Sequence, residues 1–99
     1  MRDRVYVSGR MTGLSEEEYT AHFAKAEREL KAQGYKVCNP CRWGWLMKRV
    51  PYKVALALDL LLMCRCQRAY FLGGWTESNG ASVEHRFACV TGMIIEYER

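Results

Sequence analysis

The chain has 99 residues, 49% of them hydrophobic and 26% charged, which suits one globular domain with a modest core. Its formal net charge of +4 is too weak and too evenly spread to argue for a nucleic-acid partner. The longest apolar stretch, Val54 to Cys64, is interrupted by Asp59 and falls short of a membrane span, and Met1-Arg2-Asp3-Arg4 carries no signal-peptide core, so a cytoplasmic protein without membrane contact is expected.

Arg4-Val5-Tyr6-Val7-Ser8 is short, β-branched and aromatic, and predicts a first strand. A glycine-bracketed loop, Gly9 to Gly13, follows it. Ser15-Glu16-Glu17-Glu18 has the pattern of a capping box, and its acids suit the positive end of a helix. Tyr19, Phe23, Ala26 and Leu30 then recur at helical spacing, and Gln33-Gly34 ends the helix. Its remaining charges read as a solvated face.

Tyr35 to Cys38 predicts a second strand, stopped by Asn39-Pro40. Cys41 to Val50 reads as an irregular segment, basic and rich in tryptophan. Arg42, Lys48, Arg49 and Lys53 cluster around Trp43 and Trp45. Such a cluster can bind single-stranded nucleic acid, surround a phosphorylated small ligand, or remain a solvated loop. Pro51 opens a helix that runs to Arg65. That helix is apolar nearly all round and is expected to be largely buried. Gln67 to Leu72 predicts a third strand, and Gly73-Gly74-Trp75-Thr76-Glu77 begins a long loop. Gly80 to Val90 predicts a third helix ended by Gly92, and Met93 to Tyr97 a last strand.

Strands that alternate with helices imply an α/β domain with a parallel sheet and helices on both faces. Ligands on such sheets bind beyond the carboxyl ends of the strands, where the strand order reverses. The loops Gly9–Gly13 and Gly73–Gly80 should meet there. No internal repeat, linker or low-complexity segment divides the chain.

Ser78-Asn79-Gly80-Ala81-Ser82-Val83-Glu84 follows the third strand as a small-residue loop opening a helix. The first amides of a helix lack internal acceptors, so such a loop is a ready anion site. Glu84 lies one turn inside, where the helix N-terminus is expected to favour its charged form. Asp59 stands alone in an apolar helix. It is either a buried acid paired with an arginine or a backbone amide, or a carboxylate projecting into a site. Two carboxylates on one pocket suit glycosidic-bond chemistry, with one attacking the anomeric carbon and the other serving the leaving group. Tyr6, at the end of the first strand, is either a packing residue or a hydroxyl that orients the carboxylate.

Five cysteines without an export signal are expected to be reduced. Cys38-x-x-Cys41 and Cys64-x-Cys66, with His85 and Cys89, offer a zinc alternative. The second pair lacks the usual spacing, and no helix opens at Cys38 as a thioredoxin-like motif would need. The expectation is idle thiols and no metal.

Taken in order, Tyr6-Val7-Ser8-Gly9-Arg10-Met11-Thr12-Gly13, Asn39-Pro40, Asp59, Gly74-Trp75 and Ser78-Asn79-Gly80-Ala81 before Glu84 resemble the nucleoside 2-deoxyribosyltransferase-like superfamily, in particular its small bacterial and phage branch. The resemblance covers nearly the whole chain. It implies a flavodoxin-like (Rossmann-like) three-layer sandwich with a mainly parallel sheet of four to five strands. It also implies a homodimer whose sites are finished by the neighbouring subunit. In catalytic members the glutamate matching Glu84 attacks C1′, the aspartate matching Asp59 lies by the base, and the tyrosine matching Tyr6 positions the glutamate. The transferases carry aspartate where this chain has Ser78. The deoxynucleoside 5′-monophosphate N-glycosidases carry a phosphate-contacting serine there. Arg10 stands where the branch usually has proline and the glycosidases have serine, so it either holds phosphate in its own way or fills the pocket. Gln67 replaces an aspartate often found at the start of the third strand.

The expectation is therefore an N-glycosidase acting on a (deoxy)nucleoside 5′-monophosphate. Glu84, Asp59 and Tyr6 form the catalytic set, and Ser8, Gly9, Arg10, Ser78, Asn79 and Gly80 hold the substrate. No cofactor is required. The alternative is a non-catalytic module that senses or sequesters a nucleotide-derived ligand.

Overall fold

Strand β1 (Arg4–Ser8) lies inside the sheet and organises both of its faces. A computed structural model describes residues 3–11 and 13–98. The pleat sends alternate side chains of β1 to opposite sides. Val5 and Val7 pack with Phe23, Ala26 and Leu30 of α1 (Glu16–Ala32). Tyr6 faces the other way, among Met63, Cys66, Ala69, Phe71 and Ala88. That second layer is supplied by α3 (Tyr52–Met63) and α4 (Asn79–Thr91).

The remaining strands are β2 (Lys36–Cys38), β3 (Arg68–Phe71) and β4 (Ile94–Tyr97). The sheet has four strands in the order β2-β1-β3-β4, and every pairing is parallel. Tyr6 is in register with Cys38 on one side and Ala69 on the other, and Ser8 with Phe71. This is a flavodoxin-like three-layer α/β fold. The strand order reverses between β1 and β3, so the loops leaving those strands lie side by side.

Local signals explain most element ends. The Ser15 hydroxyl accepts the Glu18 N–H (3.1 Å) at the start of α1, and the Glu18 carboxylate accepts from that hydroxyl in return. Gly34 takes a left-handed φ of +96° just beyond the end of α1, a geometry that costs other residues energy. The segment after β2 is more regular than its composition predicts. Asn39 caps a 3-10 turn over Pro40–Trp43 by accepting the Cys41 N–H (3.0 Å), and α2 (Gly44–Met47) follows. Asn39-Pro40 thus ends a strand and opens a helical turn at once, since both residues are favourable at helix starts.

The expectation that the Pro51–Arg65 helix is largely buried is overturned. Only Met63 of α3 is buried, while Tyr52, Val54, Ala57 and Leu61 are exposed. A helix lying on a sheet buries only the stripe that touches it, whatever the polarity of its outer face. Among the described residues no helix is long and apolar enough to cross a membrane.

The two switch-point loops approach closely. Leu72 donates its N–H to the Ser8 carbonyl (2.8 Å), and a Cβ on Gly9 would sit 2.9 Å from Leu72 Cβ. Gly9→Ala should therefore destabilise the fold by about 1–3 kcal/mol through overpacking, read from the denaturant midpoint at unchanged slope.

Candidate functional site

A cavity of about 260 Å³ opens beyond the carboxyl end of β1. It is bounded by the loop after β1, the start of α1, the α2–α3 region and the start of α4. One wall is apolar and aromatic, built by Met11, Tyr19, Phe23, Met47 and Leu56. The other is polar and holds Tyr6, Ser8, Asp59, Ser78 and Glu84.

Glu84 is the centre of the polar wall. It is 6% exposed, and both of its carboxylate oxygens accept side-chain hydrogen bonds. Tyr6 Oη donates to Oε2 at 2.7 Å, and Ser8 Oγ donates to Oε1 at 2.6 Å. Tyr6 and Ser8 are two apart on β1, so the pleat aims both at α4. Burial raises the Glu84 pKa above the ordinary carboxylate range, although the two hydroxyls pull the other way. This corrects the expectation that the helix N-terminus would dominate. Loss of water around a buried charge outweighs a helix dipole acting from more than a turn away. Tyr6 is pushed well above its usual value by burial and then by the charges of Glu84 and Asp59, so it remains a hydroxyl donor.

Asp59 projects from α3 into the same cavity. Among the described residues its Oδ1 is buried without a hydrogen-bond partner. Of the two readings open from sequence, the geometry gives a carboxyl aimed into a site, with neither an arginine nor an amide on that oxygen. Burial, then the negative charges of Glu84 and Cys38, lift its pKa to about 7. Near neutrality Asp59 holds a proton about half of the time.

Ser78 also lines the cavity, as the N-cap of α4. Its Oγ accepts the Ala81 N–H at 3.2 Å, which leaves the hydroxyl proton to be donated. The amides of Asn79 and Gly80 belong to the first turn, which has no intrahelical acceptors. Gly9 and Gly80 line the cavity, and a Cβ on Gly80 would come within 3.0 Å of Tyr52 Oη. Arg10 and Asn79 stand outside the lining. Arg10 instead pairs with Glu77 (3.0 Å), with its guanidinium lying over Gly13. That pair joins the loops after β1 and β3.

Two further residues, Tyr52 and Lys48, border the cavity. Tyr52 crosses from α3 toward the start of α4. Lys48 Nζ meets Glu16 at 2.6 Å where α2 and α1 border the cavity. The Ser8 hydroxyl was expected on substrate and is instead engaged by Glu84. Period-two alternation of Tyr6 and Ser8 was the available signal for that. Lys48 belongs to the basic cluster read from sequence, whereas nothing local marks Tyr52, because its position depends on the path between β2 and α3. Among the described residues no group of three or more His, Cys, Asp or Glu side chains is arranged to hold a metal ion.

A family model described as a domain of unknown function, DUF4406, matches residues 3–97. The chain belongs to the DUF4406 family. Neither curated proteins nor solved structures give a match to it. The matched span of this DUF4406 domain includes every residue of the polar wall.

The elevated Asp59 pKa couples site and stability. Its ordinary value is 3.8 and its folded value about 7, so between those pH values the folded state binds more protons than the unfolded one. Stability from this group is full below the lower value and is lost as pH rises through the upper one. Asp59→Asn should remove that component and be more stable than the native domain at about pH 8, as chemical denaturation across pH would show.

Proposed function

We propose that this domain is an N-glycosidase of (deoxy)nucleoside 5′-monophosphates, of the nucleoside 2-deoxyribosyltransferase-like kind, with Glu84 as nucleophile. The observation that carries this reading is the Glu84 carboxylate, fixed by two hydroxyls from β1 and facing the same cavity as the unpartnered oxygen of Asp59.

The chemistry follows from the proton inventory. Protonated Asp59 gives its proton to the leaving base as the bond between C1′ and the base nitrogen breaks. A Glu84 oxygen forms a bond to C1′, and Tyr6 and Ser8 hold the carboxylate in line. Water then attacks C1′ of the resulting ester, loses a proton to the Asp59 carboxylate, and releases Glu84. The aromatic wall of Tyr19 and Phe23 suits a planar base. The Ser78 hydroxyl and the Gly80 amide at the start of α4 suit the 5′-phosphate.

A homodimer belongs to the same reading. Val54, Ala57 and Leu61 of α3 are exposed at helical spacing, and Val83 and Val90 of the neighbouring α4 lie two turns apart and are also exposed. A second copy would cover this apolar surface. The cavity itself is just below the usual range of small-molecule sites, roughly 300–1,000 Å³, which fits a site enlarged by a partner's residues. The action is placed in the cytoplasm, in keeping with reduced thiols.

A second reading, nucleotide binding without turnover, is favoured by one observation. Burial raises the pKa of Glu84, which weakens it as a resting nucleophile.

A panel of nucleoside monophosphates, assayed for released base by chromatography, separates the two readings. In the enzymatic case base appears, Glu84→Gln abolishes turnover while leaving nucleotide affinity nearly intact, and Asp59→Asn lowers kcat about 10²-fold or more. Tight binding with no base released from any member of the panel selects the binding module. For the assembly, sedimentation of the native chain should give a dimer, and Leu61→Glu should convert it to monomer with the helical spectrum unchanged.

A further inference from the structure

A second cavity, of about 310 Å³, lies at the β2 edge of the sheet and plays no part in the proposed nucleotide chemistry. Cys38, the last residue of β2, and Cys66, just after α3, both line it. Arg4, Lys36, Arg42 and Arg65 line it as well. The two cysteines are 28 positions apart, yet both line this cavity, and Cys38 packs against the buried cluster that contains Cys66. Cys38 is half-buried and Cys66 is buried, so a reagent entering the cavity reaches Cys38 first.

We propose that Cys38 and Cys66 form a thiol–disulfide switch that reacts with small carboxylate-bearing disulfides gathered by the four surrounding cations. Cys38 is the attacking thiolate. Its sulfur bonds to one sulfur of the incoming disulfide, the S–S bond breaks, and one small thiolate leaves. Cys66 then gives up its proton to solvent and attacks the Cys38 sulfur of the mixed disulfide. The second small thiolate leaves, and a Cys38–Cys66 disulfide remains. The cysteine pair is oxidised by two electrons, and the small disulfide is reduced to two thiols.

The roles follow from the surroundings. The neighbouring Cys66 thiol favours charge on Cys38, burial opposes it, and Arg42, Arg4 and Arg65 add attraction, so the Cys38 pKa is lowered. Cys66 is shifted upward by its interaction with Cys38 and by burial, and its Sγ lies 3.6 Å from the Leu62 carbonyl. It is therefore the resolving thiol. The acid Glu27 engages Arg42, and Asp59 and Tyr6 are the titratable groups on the inner side that feel the Cys38 charge. Lys36 and Arg65 are exposed and able to meet carboxylates. Closing a disulfide needs two cysteines that the fold brings together, which the shared cavity and the shared core cluster provide.

The test uses the full chain and glutathione disulfide, with acid quenching, alkylation and mass spectrometry. The native protein should lose two hydrogens, yield a cross-linked Cys38–Cys66 peptide, and return to the reduced form with dithiothreitol. Cys66→Ser should trap glutathione on Cys38, and Cys38→Ser should leave Cys66 unmodified. Arg42→Ala with Arg65→Ala should slow the reaction with glutathione disulfide about threefold or more, with little effect on uncharged hydroxyethyl disulfide. The proposal is overturned if glutathione settles on Cys41, Cys64 or Cys89 while Cys38 and Cys66 stay reduced, or if folded Cys66→Ser carries no adduct on Cys38. Iodoacetamide labelling of the native chain needs no variant. The Cys38 rate should rise with a pH midpoint below that of a free thiol, roughly 8.5, and a midpoint at or above it equally overturns the proposal.

Discussion

A buried carboxylate must be given hydrogen-bond donors, and in this chain that requirement sets where α4 lies. Glu84 is supplied by Tyr6 and Ser8, both on the central strand. Hydrogen bonds to a charged group contribute on the order of 1.5–3 kcal/mol each, and removing one leaves a buried acid short of a partner. The link is long in sequence and short in space. It ties a helix that follows β3 to the end of β1, and so holds the switch point together. The Ser78 cap sets where α4 begins, and the turns from Ser78 bring Glu84 over the two hydroxyls. Strand pleat, helix cap and carboxylate thus agree on one geometry.

The same burial gives the site its electrostatic character. Two acids share a cavity, buried and, among the described residues, with no basic side chain hydrogen-bonded to either, so both hold protons more tightly than in water. Among the described residues, two donors on Glu84 and none on the buried oxygen of Asp59 set the two acids apart. One is positioned, and the other is left with an oxygen directed at whatever enters. Cys38 extends this field beyond the cavity. A charge on its sulfur is felt by Asp59 and Tyr6, so the chemistry at the β2 edge is electrostatically joined to the site above β1.

Features governed by near neighbours were legible from the residues. Ser15 with Glu18 marked the start of α1, Gly34 its end, and Gly92 the end of α4, because caps and left-handed turns are short-range devices. The β-α alternation gave the parallel sheet, and the switch-point rule led to the loops after β1 and β3. The approximate position of the candidate site followed. Burial was harder to read. The apolar composition of α3 suggested an enclosed helix, but composition does not say whether the sheet or another molecule covers a given stripe. The segment after Pro40 was taken as irregular because its tryptophans and basic residues outweighed the short-range signal of Asn39-Pro40.

The sequence alone determined the class of fold, the alternation of its four strands with three main helices, and the presence of an acid alone in an apolar helix and another one turn inside the helix that follows the third strand, since these follow from periodicity, caps and residue type. Only the tertiary structure decided that Glu84 carries two hydroxyl partners while, among the described residues, Asp59 Oδ1 has none, that Arg10 turns to Glu77 beyond the cavity lining, and that Cys38 shares a cavity with Cys66 while Cys41 lines the other. The reason is physical. Charge, proton affinity and thiol reactivity depend on which groups surround an atom and how much water remains. Those neighbours are chosen by strand order and helix docking, which bring together residues tens of positions apart.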